Sequence, residues 1–409
     1  MNRAVGPERL AGIPWASKTT LAFLFQRVSR YGPHEDKVWK SLVTRAEQIS
    51  RSFTDKECAL ILNAIITSEM PKPSGLVKNL FEEKIPSLSP SPQNLALLFH
   101  AAAALKYKFP GSLHARLSQV AGELNAQQVA MIAAALRQAH EHSDCVELAN
   151  RIHSVVEDLS PQGLVMVLGW LVNTSHVTRD QIVPISIRLA KATHEMDYRL
   201  SSMALLSLVK LGDWPESRDA AHLVFERFTE PSVQSRAPAM YLALVLSAAA
   251  KIPVATEGLW SQYHSVVHQV ELPSELVEIV RALVSRQVRE LEIYSPVLNR
   301  LKKLELSVSE AAVLVHSLGK AGIKFDDFFK FLRGSLEGRV SGLNGKEVFM
   351  ITYGLFKGGA LTMGLGEELR DRVGDLLLKG EIQRESATYL VSHCLVPARI
   401  ACEDLASIL

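Results

Sequence analysis

The chain has 409 residues, of which 47% are hydrophobic and 22% charged, with 45 Lys and Arg against 43 Asp and Glu for a net charge of +2. This composition excludes an intrinsically disordered chain, and its balance excludes a surface coated evenly with cations for nucleic acid. Any RNA-binding face must come from how the charges are arranged, not from their sum.

The length suits two or three ordinary domains or one long repeat array. Before residue 35, Arg3, Arg9, Lys18, Arg27 and Arg30 face a single acid, Glu8, the bias of an organelle import segment. The simpler reading makes most of this stretch the first helix of a repeat array. Residues 1–14 are therefore expected to be a flexible N-terminus with the composition of a targeting remnant.

From Ser17 onward a two-helix unit recurs. Ser91-Pro92-Gln93-Asn94-Leu95-Ala96 compares with Ser160-Pro161-Gln162-Gly163-Leu164-Val165 and with Ser307-Val308-Ser309-Glu310-Ala311-Ala312. Each opens on a capping residue and runs into an apolar helix; Pro in the next place suits a first turn that needs no donor. Equivalent starts fall at Ser17, Thr54, Ser91, Asn125, Ser160, Asp197, Pro238, Pro273, Ser307, Asn344 and Gln383, 34 to 41 residues apart. Second helices are expected at 36–49, 112–123, 144–157, 216–228, 256–270, 326–336 and 367–378, and Pro184 should kink or shorten its helix. No segment alternates with strand period. The expected fold is all-α: a right-handed α-solenoid of about eleven two-helix repeats. N-terminal repeats fill 15–230, and C-terminal repeats fill 231–409 as the same solenoid, with a hinge at 229–235 where Glu230-Pro231-Ser232 interrupts the helical pattern.

No apolar run reaches the 18 or so residues of a membrane span; Met240 to Ala250 is short and ends at Lys251, so no membrane insertion is expected. Cys58, Cys145, Cys394 and Cys402 lack metal-ligand spacing and read as free, mostly buried thiols of a reduced compartment.

The first helices, best from Ser91 to Lys106 and from Ser307 to Gly322, resemble those of the heptatricopeptide and octotricopeptide repeat families. More loosely they are similar to the helical part of the Fas-activated kinase-like proteins. The resemblance implies a protein of organellar RNA metabolism in the mitochondrial matrix. The version expected here is a structural component of a mitochondrial ribosome that binds rRNA and several neighbouring proteins. A mitochondrial RNA processing, editing or stability factor is the alternative, and a protein-only interaction solenoid the next. Many relatives end in a small α/β domain of nuclease ancestry; because the repeat pattern continues to Val391, this chain is expected to lack it and not to be an enzyme. No cofactor, metal or small-molecule substrate is expected.

The fourteenth place of successive units holds Arg30, Thr67, Ala104, Gln138, Asn173, Lys210, Lys251, Arg286, Lys320, Lys357 and Val396. Arg30, Lys210, Lys251, Arg286, Lys320 and Lys357 form a candidate stripe for a phosphate backbone. The competing account is that cations near helix C-termini complement the helix dipole. Lys106-Tyr107-Lys108 offers a second basic and aromatic spot, or simply a loop tip. His140 and His142, with Glu141, Asp144 and Cys145, lack a second cluster and read as a polar turn. Gly358-Gly359 and Gly364-x-Gly366 are not followed by the Lys-Ser or Lys-Thr of a phosphate loop, and no nucleophile elbow occurs. The five tryptophans fall at different repeat places and read as core or interface anchors.

Overall fold

The structure, a computed structural model, describes residues 12–32, 35–139, 145–174, 178–211 and 214–409, with backbone alone for 406–408. Among these the regular elements are all helical. The import-segment residues before Gly12, and His140, Glu141, His142 and Asp144, lie outside the described residues.

Two compact units divide the chain, one ending at Arg227 and the next beginning at Phe228. The cut falls inside the helix Pro215–Thr229, close before the 229–235 segment. There Glu230 is extended (φ −60°, ψ 133°), as a residue before proline prefers, and Pro231–Gln234 makes one extra helical turn. That insertion accounts for the long gap between the sixth and seventh starts.

In the N-terminal unit the first helices are Lys18–Tyr31, Asp55–Thr67, Pro92–Ala104, Ala126–Gln138, Pro161–Leu171 and Tyr198–Leu208, and each packs on the next. In the C-terminal unit the same holds for Ala239–Ala249, Pro273–Ser285, Val308–Ala321, Gly345–Lys357 and Arg384–Leu390, the last continued by a π-helical turn, Val391–Leu395. Second helices such as Gly111–Val120 and Val146–Val155, or Glu257–Gln269 and Leu291–Leu301, pack on one another as an adjoining layer. The first-layer helices Pro161–Leu171 and Ala239–Ala249 are enclosed on nearly every side. Leu164, Val165, Val167, Leu168, Trp170 and Leu171 are all buried, as is every residue from Leu242 to Ala249. A lone hairpin would leave most of that surface wet, at about 25 cal/mol per Å², so each repeat depends on its neighbours.

Ten of the eleven expected starts are the N-cap residues of the first helices. Four of these starts, Thr54, Asn125, Ser307 and Asn344, form a capping box, while Ser17, Ser91, Ser160 and Asp197 cap by their side chain alone. Asn125 Oδ1 accepts from the Gln128 amide at 2.9 Å, while Gln128 Oε1 accepts from the Asn125 amide at 2.9 Å. At the eighth start the cap is Leu272, and Pro273 is the first helical residue. Pro184 does not shorten its helix, which runs Arg179–Lys191; as the sixth residue it removes only the donor to Asp180. The helix expected from 367 begins at Met363, so Gly364 and Gly366 are helical rather than loop.

The four cysteines are free and buried. Trp39 and Trp170 are core residues, but Trp15 is 86% exposed.

Candidate nucleic-acid interface

Because consecutive first helices pack side by side, their C-terminal ends line up in each unit. In the C-terminal unit this gathers Lys251, Arg286, Lys320 and Lys357. Lys251 lies just past Ala239–Ala249, Lys320 lies in the last turn of its helix, and Lys357 closes Gly345–Lys357; all three are exposed or nearly so. Among the described residues no carboxylate pairs with them. Arg286 is half-buried and, with the cap at Leu272, stands one place late, as the C-cap residue. Lys210 is exposed but belongs to the N-terminal unit. Arg30 is exposed at the end of Lys18–Tyr31, and the later places in that unit, Thr67, Ala104, Gln138 and Asn173, are neutral. Four of the six expected cations thus share one unit.

Some of the opposite ends carry acids that are bonded within the stack. Thr19 Oγ1 donates to Glu57 at 3.1 Å, Asn94 Nδ2 donates to Asp55 at 2.8 Å, and Ser309 donates to Glu347. Each contact links one repeat to the next. Glu347 lies ten residues from Lys357, about 15 Å along a helix, so these acids leave the cationic ends clear.

A feature that repeat spacing does not announce lies beside Lys320 and Lys357. Val308–Ala321 and Gly345–Lys357 cross with backbones in contact: a Cβ built on Gly354 would sit 2.4 Å from the Val315 carbonyl oxygen, and one on Gly319 as close to the Gly354 oxygen. This approach brings the His316 ring to 5.5 Å from Tyr353. Tyr353 also faces Phe349 at 6.1 Å, nearly parallel, and Tyr389 at 6.3 Å. Tyr389, 38% exposed, stacks on His393 at 4.5 Å and 10°. Lys357 Nζ lies 5.9 Å above the Tyr353 ring, within cation–π range. Burial, reinforced by the Lys320 charge, lowers the His316 pKa and keeps that ring neutral at physiological pH.

The spacing has a simple grammar. His316 and Lys320, like Tyr353 and Lys357, occupy the tenth and fourteenth places, one helical turn apart. Tyr389 and His393 repeat the interval one turn earlier in the last unit. An aromatic residue four before the cation was the available sequence signal, and only the ninth and tenth repeats display it in register.

Other singled-out residues are engaged by the protein. The Tyr107 hydroxyl donates to Glu82 at 2.5 Å and its ring stacks on Phe81 at 4.9 Å, while Lys106 turns the chain at φ 56°. The Lys106–Lys108 segment is therefore a turn without a free ring. Among the described residues no His, Cys, Asp and Glu cluster is placed to hold a metal.

A second unforeseen pattern is structural. The Nε of Arg45, Arg116, Arg151, Arg227, Arg300 and Arg372, each in a second helix, donates to a backbone carbonyl just before its own repeat's first helix. The acceptors are Ala16, Pro90, Leu124, Met196, Val270 and Leu343, at 2.7–3.2 Å. These arginines close hairpins, each with its Nε committed to the backbone.

Within each unit these helices form an all-α stack of paired helices, and none of those described is long and apolar enough to cross a membrane. No family model matches the chain, and no curated protein matches it. Among solved structures the chain is similar to one in a homology model of the full-length AP-3 complex in an intermediate open conformation. Identity is 11%, coverage is 94% of this chain and 86% of that one, and the TM-score is 0.31.

Proposed function

We propose that this chain is a non-catalytic helical-repeat scaffold of an organellar ribonucleoprotein, holding RNA along the cationic ends of its C-terminal first helices and contacting proteins elsewhere. The observation that carries the reading is the file Lys251, Arg286, Lys320 and Lys357 on consecutive packed helices, with aromatic rings beside its last two members. Helix-dipole complementation accounts for a cation in a last turn but not for the rings. The resemblance to heptatricopeptide and octotricopeptide repeats supports the mitochondrial matrix as the compartment. The net charge of +2 suits a protein embedded largely among other proteins, so a mitochondrial ribosomal subunit is the specific assembly proposed.

Two measurements test this. Four neutralised phosphates on single-stranded RNA give a log-affinity against log-salt slope of about −3, and K251E/K320E/K357E should flatten it to near zero. On a density gradient of mitochondrial lysate the protein should sediment with a ribosomal subunit. Sedimentation with a smaller RNA-containing particle would favour the RNA-processing role. Salt-independent or absent RNA binding, with assembly unchanged in the triple variant, would leave a protein-only scaffold.

A further inference from the structure

We infer that His316, Tyr353, Tyr389 and His393, flanked by Lys320 and Lys357, form a stacking site for unpaired bases of single-stranded RNA; this rests on the RNA-scaffold reading and narrows it to one class of RNA. The site is built on three consecutive first helices, two of them fixed by the Gly319–Gly354 backbone contact. Its rings are graded in exposure: His316 and Tyr353 are half-buried and positioned, while Tyr389 and His393 are open to solvent. Each cation stands one turn beyond its ring, about 6 Å along the axis, so a base on the ring leaves its phosphate beside a lysine.

The tyrosine hydroxyls separate this cluster from the structural aromatics. Tyr263 donates to the Ile293 carbonyl at 2.6 Å, Tyr294 to that of Val288 at 3.0 Å, and Tyr107 to Glu82. Among the described residues Tyr353 and Tyr389 donate to none, which leaves both hydroxyls for base edges or ribose. A duplex cannot use such a site, because A-form bases are stacked on one another and hidden from a ring.

The test uses the full chain, a single-stranded oligoadenylate carrying 2-aminopurine, and a duplex of equal length. The wild-type protein should prefer the single strand and quench 2-aminopurine. Tyr389→Leu keeps apolar bulk on an exposed position and should weaken single-strand binding about 10-fold, abolish the quench, and leave duplex affinity and salt slope unchanged. Tyr389→Trp should restore both signals. Equal loss for duplex and single strand, or unchanged quenching in Tyr389→Leu, would overturn the stacking site while the cationic file stands. Failure of the wild-type protein to bind either RNA in a salt-dependent way would overturn both readings.

Discussion

At the scale of single residues, the strongest local commitments are caps and clamps. Glu57 is 6% exposed and accepts from the Thr54 amide at 2.9 Å, the Thr54 hydroxyl and Thr19, with Lys18 at 3.9 Å. Burial alone would raise its carboxyl, but these hydrogen bonds and the Lys18 charge outweigh it and hold the pKa below the ordinary 4.5. A value lower in the folded than in the unfolded chain means stability that is complete above pH 4.5 and lost as pH falls through the lowered value. Urea midpoints across acid pH should show that loss, and Glu57→Gln should start lower and depend less on pH. Arg151, whose Nε lies 2.7 Å from the Leu124 oxygen, predicts a cost of about 2 kcal/mol for Arg151→Ala, read as a lower denaturant midpoint. Arg281, exposed and paired with Glu278 within its own turn, should change stability by less than about 0.5 kcal/mol when made Ala. Burial pushes the Cys58 thiol up to about 12, so it should resist alkylation at mildly alkaline pH until the chain is unfolded. The caps were readable from sequence because cap and partner lie three residues apart. The clamps were not, because their acceptor is a carbonyl 26 to 31 residues away and a carbonyl has no residue identity.

At the scale of helices, small residues decide how closely neighbours approach. Gly354→Ala would push a methyl into the Val315 carbonyl, a contact no rotamer can relieve. It should destabilise the ninth and tenth repeats by about 1–3 kcal/mol and part His316 from Tyr353, so 2-aminopurine quenching should fall with stability. Gly366 shows why the start of Met363–Leu378 was misplaced. Its missing Cβ makes room for Ile400, at 2.6 Å from where that atom would sit, and spacing alone cannot distinguish a glycine kept for packing from one kept for a turn. The start at Pro273 slipped for a related reason. Leu272 caps without a side-chain bond, so nothing in its identity marks it. Aromatic clustering escaped because Tyr389 enters one turn earlier than Tyr353; its partners depend on the crossing of helices rather than on repeat place.

At the scale of the whole molecule, contacts are made mostly within a repeat or with the adjoining one, and destabilisation should stay where it is introduced. Hydrogen exchange should show Gly354→Ala loosening amides of Val308–Ala321 and Gly345–Lys357, while Asp55–Thr67 and Pro92–Ala104 keep wild-type protection. Uniform loss across both units would contradict a stack of local interfaces. The arginine clamps carry this locality into the chain's history. Each ties the beginning of a hairpin to its own end, so no distant segment must arrive before a hairpin sets. A nascent polypeptide emerging at about 5–20 residues per second delivers the next hairpin within several seconds, just as the flank of the last one needs shelter from water.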